Sequence, residues 1–527
     1  MRVPLLVLAL AAAPAGAQVP LLAEGSTVDG FGPITDLGHA AINASDGWVS
    51  YAWVAAPPFD SQCAVFRDGV QLVVTGDLLA GSGLAFGSAS KLGVDGSGQP
   101  LWIGESDAEP FAFPTPLVGA GDRLVRAAGD LCGAPEAPAG TTYVDFDDLE
   151  FTAAGHLLVT CKVAYPGDPP GWWFSALALF RVDPFGNLLG ENLVLQFGDS
   201  IPGQTDTVAS IGPGDGADVN SSGQLLLIPT LFLTQKVLVD AQVLAESSGP
   251  SPIAGESWSY FLVGQLNDAG DHVYGGRLNP SGDDVLIRNG QKLVQTGDAL
   301  ASLGGQTVEA VGLDAVALAE TGEVAWIGEA RGEDVLFIDH EPLLSTGDVF
   351  GGQTVDYISP RFEIHPTGRS VVVELGFEGT NLSAIYELFL PSLAPLDGCF
   401  GNQGQLALAS GAPEIGSTLG FELDAGQAPG VTAALAVSVG AIAGWPPCGL
   451  PLPGAGELLI DVSAPNPVAV LLGAAPWAGA PVPIAAGITP DLYGVELFWQ
   501  GAFIDFAGLT PSEPVRLTDA LVTRIGL

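Results

Sequence analysis

One phrase returns along most of this chain: an apolar run, a short turn ending in glycine, a second apolar run, a third such as "VLF", and a closing "LL.TGD". The turn glycines are Gly47, Gly98, Gly155, Gly223, Gly270, Gly322 and Gly368, a spacing of about fifty residues. Its clearest copies run from Leu266 to Val308 and from Leu318 to Val355. A unit this short cannot bury both of its apolar faces alone, so it must stack on its neighbours. That constrains the architecture and leaves the activity open, because a scaffold hosts many unrelated sites.

Each copy reads as four strands. Runs such as Val324–Ile327 and Val371–Val373 are β-branched or aromatic and too short for an ordinary helix. Asn220 and Asn267 stand three residues before Gly223 and Gly270, which suits a turn whose last residue takes positive φ. Asp68-Gly69 and Asn289-Gly290 are hairpin signals. The chain opens on the fourth element alone, Pro20 to Gly25, and the last repeat stops at the third, Ala384 to Phe389. The expected fold is all-β: a seven-bladed β-propeller over residues 18–392, with four-stranded blades and the N-terminal strand closing the last. An open β-solenoid or a string of small sandwiches is the competing arrangement. From about residue 398 the repeat gives way to Gly, Pro and Ala, and short strand-like runs between turns point to a β-sandwich over 398–527.

Residues 1–17 read as a secretory signal: Arg2, an apolar stretch from Val3 to Ala13, and Ala15-Gly16-Ala17 before Gln18. The expected location is secreted, extracellular or periplasmic, with no membrane insertion. With 16 Lys and Arg against 59 Asp and Glu, the net charge of −43 opposes binding to nucleic acid. The expected partner is an extracellular protein or glycan. Five cysteines would meet an oxidising compartment. Cys399 with Cys448 is the favoured disulfide, and Cys132 with Cys161 the weaker alternative.

The "N..G" hairpin with its following apolar strand resembles a family of secreted bacterial tandem-repeat proteins named for an NxxGxxAF motif. Asn220 and Asn267 match it, whereas Asp95, Thr152, Ala319 and His365 replace the asparagine. The tail, with "GAPEIGSTLGFEL" and "YGVELFWQGAFID", resembles a C-terminal module of secreted planctomycete-type proteins. The resemblance implies a propeller-like fold and carries no activity.

No catalytic residue is assigned. There is no nucleophile elbow, and the histidines, four of which sit in or beside hairpin turns, read as solvent-facing. Asp145 and Asp147 share one face of "VDFDDLEF", with Asp148 and Glu150 on the other. Trp172 and Trp173 lie in a long insertion, where one is expected in the core and carbohydrate stacking is the functional reading. These four residues, Asp145, Asp147, Trp172 and Trp173, are the candidate binding residues. No metal site is assigned. Calcium is the one candidate cofactor, through Asp215, Asp218 and Asn220, while the Asp of "TGD" (Asp77, Asp298, Asp348) reads as a turn cap. The leading functional reading is a non-enzymatic propeller for extracellular recognition. Its alternatives are a carbohydrate-active enzyme using channel carboxylates and a calcium-stabilised structural protein.

Overall fold

A computed structural model of the protein describes residues 20–27, 32–56, 59–107, 113–201, 205–211, 216–232, 234–240, 242–380, 382–396, 399, 402, 404–424, 431–439, 450–452, 455–461, 470–476, 480–489, 492–505 and 515–527. Their contacts form two compact units, Pro20–Glu387 and Leu388–Leu527. Among the described residues no helix is long and apolar enough to cross a membrane.

The first unit is all-β and propeller-like: its described residues form a succession of antiparallel sheets, six of four strands and the last of five. Their strands pair in sequence order except at Leu22–Ala23 and in the fourth sheet, where Leu225–Leu227 pairs with Lys236–Val239 and the intervening Pro229–Leu231 pairs with Val208–Ile211. The first sheet runs Ile34–Ile42, Trp48–Ala56, Phe59–Arg67 and Val70–Val74. The second begins at Phe86–Val94, the third at Thr142–Phe151, the fourth at Ala217–Val219, the fifth at Ser257–Leu266, the sixth at Ala310–Leu318 and the seventh at Gln353–Ile364. The outermost strand of the seventh is the two-residue Leu22–Ala23, with Leu22 opposite Ile385 and Ala23 opposite Ala384.

Three devices join neighbouring sheets, and all three derive from the repeated phrase. The first is burial. Apolar side chains of one sheet share a core with the next, as when Val65 and Val73 of the first meet Phe86 and Trp102 of the second. Ile34, Leu37 and Phe66 of the first sheet likewise pack with Val372 and Ile385 of the seventh, and with Leu21 and Leu22. Each large side chain so buried contributes about 1.5–3 kcal/mol.

The second device is the glycine of "TGD". Gly76 has φ +95° and Gly347 φ +94°, a region open to glycine and closed to most side chains. From it the Gly76 N–H donates to Phe86 O, and the Gly347 N–H to Val355 O, on the first strand of the following sheet. The Gly25 N–H donates to Ile34 O in the same way, so the opening segment does for the first sheet what each outer strand does for its successor. The aspartate closes this turn: Asp77, Asp130, Asp199, Asp298 and Asp348 each accept the backbone N–H three residues earlier, at 2.7–3.0 Å. Asp130 does so within the degraded "AAGD" copy.

The third is the asparagine of the repeat. Asn267 Oδ1 accepts the Asp271 N–H at 2.8 Å, capping its own turn, while Nδ2 donates to Ala319 O on the sixth sheet at 2.9 Å. Asn43 and Asn220 reach Asp95 O and Asn267 O likewise, both at 3.1 Å. Asp95 caps its turn through Ser97 and Gln99 but has no N–H to give, and there the bridge is made by backbone, Gly96 N–H to Ala153 O. At the equivalent position of the seventh sheet His365 Nδ1 accepts the Thr367 N–H, and Nε2 faces Asp46 of the first sheet at 3.4 Å. The expectation that this histidine faces solvent is corrected, since its side chain is fully buried where those two sheets meet. Asn267 is 2% exposed, so Asn267→Ala leaves the partly buried Asp271 N–H without its side-chain acceptor and removes the tie to Ala319 O, which keeps the Gly322 N–H. The expected cost is about 1–3 kcal/mol, read as a lower urea midpoint at unchanged slope.

Besides the hairpin of Leu450–Leu452 with Gly456–Leu458, the described residues of the second unit form two antiparallel sheets. One has five strands, in the order Ser392–Leu396, Val515–Arg524, Glu496–Ile504, Thr432–Ser438 and Val470–Pro476. The other has three, Gln405–Ser410, Thr418–Asp424 and Val482–Gly487. Leu419, Phe421 and Leu423 of the smaller sheet share one core with Leu435, Trp499 and Phe503 of the larger. Glu496–Ile504 is one continuous strand. Gly501 within it marks close packing rather than a turn, for a Cβ there would lie 2.4 Å from Leu423 Cδ2.

Candidate functional site

The first strands of successive sheets wall one cavity of about 660 Å³. Because the first strand is the one that ends at the repeated turn, the cavity gathers the same segment of every copy: His39 to Ala44, Ser90 to Gly96, Leu149 to Ala153, Asp218 to Asn220, Gln265 to Asp268, Asp314 to Glu320 and Pro360 to Pro366. Six carboxyl groups belong to this lining, Glu150, Asp218, Asp268, Asp314, Glu320 and Glu363, against Lys91 and Arg361. Residues as far apart in sequence as His39 and Pro366 are thus brought to one space by the arrangement of the sheets.

Asp218 is the least exposed of these carboxyls, at 6%. Its Oδ1 accepts the Val219 N–H at 2.7 Å and its Oδ2 the Leu266 N–H at 2.6 Å, so it bridges the fourth sheet to the fifth. Burial pushes its pKa up to about 8, and the charges of Glu363 and Glu320 push the same way. The two N–H donors favour the charged form and are outweighed. Glu363 faces His39 Nε2 at 3.4 Å. Lys91 Nζ is held at 2.6 Å by Asp148, which is itself buried and also accepts the Leu149 N–H. Nearer the turns, Glu320 accepts the Asp268 N–H and Asp268 the Ser221 N–H, at 2.6 and 2.5 Å. Burial raises the Glu320 carboxyl as well. The walls also carry Phe151 and Phe362. The chemical content of the space is therefore one carboxyl kept neutral near pH 7, further acids around it, and two cations.

None of the candidate binding residues lies on this lining. Asp145 and Asp147 do share a face, and Lys162 Nζ bridges them at 2.8 and 2.7 Å. Lys162 also sits 5.1 Å from the Trp173 ring centroid, so three of the four candidates meet around one ammonium group. Trp172 and Trp173 are 61% and 50% exposed, which corrects the expectation that one is a core residue. Cys399 is disulfide-bonded, and Cys448 lies outside the described residues. Cys132 and Cys161 are free thiols, which removes the weaker pairing. Of the calcium candidates, Asp215 lies outside the described residues, Asn220 caps a turn and Asp218 bonds backbone N–H groups. Among the described residues no group of three or more His, Cys, Asp or Glu side chains is placed to hold a metal ion.

Sequence reasoning assigned no role to Glu363, His39 and Lys91 and weighed Asp218 only as a candidate calcium ligand. The available signal was positional: each lies on the strand just before the turn asparagine or its replacement, the one segment that every copy sends inward.

No family model and no curated protein matches the chain. Among solved structures it is similar to a gluconolactonase of Xanthomonas campestris, with 16% identity over 50% of this chain and 84% of that one and a TM-score of 0.24. It is similar also to a eukaryotic initiation factor, with 8% identity over 66% and 82% and a TM-score of 0.29. A third is an exo-β-1,3-galactanase of Phanerochaete chrysosporium, with 11% identity over 82% and 96% and a TM-score of 0.22. The expectation of a non-enzymatic recognition protein is corrected: six carboxyl groups, with Phe151 and Phe362, converge in one cavity instead of scattering over the surface.

Proposed function

We propose that the chain is a carbohydrate-active hydrolase, exported from the cell, whose site is the acidic channel of a seven-bladed β-propeller followed by a β-sandwich. Supporting the propeller are the seven like sheets, the pairing of Leu22–Ala23 with the last of them and the shared core of first and seventh. The two-sheet core of the second unit supports the sandwich. The exported, NxxGxxAF-type identity rests on the repeat asparagines and on the composition of residues 1–17.

One observation carries the activity: Asp218, a carboxyl held neutral near pH 7, lines the same cavity as Glu363. Glycoside hydrolysis needs one carboxyl with a proton to give and a second with none. In this reading Asp218 gives its proton to the departing glycosidic oxygen. Glu363, oriented by His39, takes a proton from the attacking water, whose oxygen forms the new bond to the anomeric carbon. Lys91 and Arg361 hold substrate hydroxyls. The test is release of reducing ends from α- and β-linked oligosaccharides of glucose, galactose and fructose at pH 5–8. Hydrolysis of at least one class is expected, and inertness toward all of them would overturn the assignment.

A further inference from the structure

A second feature lies on the third sheet, away from the cavity lining. The segment between its second and third strands, His156–Ala164 and Phe174–Val182, carries Trp172 and Trp173 at its end. Two adjacent indoles exposed to 61% and 50% are unusual for side chains of this size. The segment is nonetheless well held. Tyr165 stacks on Phe174 at 5.2 Å and Phe174 packs on Phe197 at 5.0 Å, while the Tyr165 hydroxyl donates to Gln196 Oε1 at 2.8 Å. The Trp172 N–H closes a turn onto Pro169 O, and Pro166, Pro169 and Pro170 restrict the backbone around it.

Lys162 lies over the Trp173 ring, and that residue remains 50% exposed. Burial alone would lower its pKa, but the hydrogen bonds and charges of Asp145 and Asp147 hold the ammonium above its usual value. One of the two negative charges is thereby balanced, and the carboxylates keep oxygen atoms that accept hydroxyl protons. A flat apolar face beside such acceptors matches a sugar ring, whose axial C–H groups pack on indole and whose hydroxyls seek acceptors. The chain's net charge of −43 disfavours an anionic polymer or an anionic membrane here. A cationic peptide would compete with Lys162 for the same two carboxylates.

We infer that Trp172 and Trp173, with Lys162, Asp145 and Asp147 beside them, form a binding platform for a neutral polysaccharide, separate from the channel. Holding a polymer here does not require the channel to cut it, so the two readings stand or fall separately.

The experiment is native affinity electrophoresis of the whole chain in gels containing a β-1,3-glucan, a β-1,4-glucan, a galactan, a fructan or polygalacturonate. At least one neutral polymer is expected to retard the wild type and polygalacturonate is not. Trp172→Ala and Trp173→Ala should each weaken that retardation roughly tenfold, and the double variant should abolish it. Trp173→Phe should retain part of it, and Asp218→Asn all of it. Both tryptophans are solvent-facing, so far-UV circular dichroism should be unchanged. Mobility unaffected by every neutral polymer overturns the inference, as does a double variant that binds like the wild type. Sedimentation with phosphatidylglycerol vesicles in place of polysaccharide binding would overturn it in favour of a membrane surface.

Discussion

Asp218→Asn is expected to lower kcat/KM for the hydrolysed sugar by about 100-fold or more, the range in which a positioned general acid contributes. Asparagine matches the carboxyl in size but has no proton of suitable acidity to give. It also presents an amide nitrogen to one of the two N–H groups, of Val219 and Leu266, that the carboxyl accepts. The fold should therefore lose about 1–3 kcal/mol, a loss that circular dichroism and urea titration separate from the loss of activity. The wild type should show a basic limb in kcat/KM near pH 8, where Asp218 gives up its proton, and that limb should vanish in the variant. Stability follows from the same group. A carboxyl at about 8 when folded and about 4 when unfolded contributes fully below pH ~4, and its contribution is lost as the pH rises to ~8. Wild-type stability from this site thus declines between those values.

Deleting Pro20–Gly25 should have the largest effect on folding. The deletion removes the Leu21 N–H bond to Ile385 O at 2.8 Å, the Glu24 N–H bond to Ser383 O at 3.0 Å, and the Ser383 N–H bond to Glu24 Oε2 at 2.7 Å. It also strips Leu21 and Leu22 from the core shared by the first and seventh sheets. At about 1 kcal/mol for each hydrogen bond and about 1.5 for each half-buried leucine, the loss is on the order of 6 kcal/mol. That is comparable with the whole stability of many domains. The third strand of the seventh sheet would then present an unpaired edge, a template for association. The truncated chain should melt well below the wild type and aggregate, and a synthetic peptide of residues 20–26 added in trans should raise its Tm. Leu22→Asp should show the same trend with a smaller shift. A truncated chain melting at the wild-type temperature would contradict a closed ring.

The scaffold was readable because its signals are local. Glycines at fixed intervals, Asn-Gly and Asp-Gly hairpins and the lone fourth element at the chain start each report a turn or a missing strand within a few residues. The turn aspartates were readable for the same reason, since Asp348 bonds the N–H of Ser345 only three positions away. The channel was not, because what distinguishes Asp218 from the many other carboxylates is burial among sheets whose sequences lie far off, with Leu266 and Glu363 as its partners and neighbours. Alternation grouped Asp145 with Asp147 and Asp148 with Glu150. It gave no hint that Lys162 would bridge the first pair, or that Lys91 of the preceding sheet would claim Asp148. His365 misled because it occupies a turn position that is exposed in an isolated hairpin and covered once the first and seventh sheets meet.

The central claim is that a neutral carboxyl sits in the channel at physiological pH, and infrared difference spectroscopy across a pH titration measures it most directly. The account expects a protonated carboxyl C=O band at pH 6 that disappears with a midpoint near 8 and is missing from Asp218→Asn. A wild-type spectrum with no carboxyl titrating between pH 6 and 9, or one identical to the variant's, would contradict it.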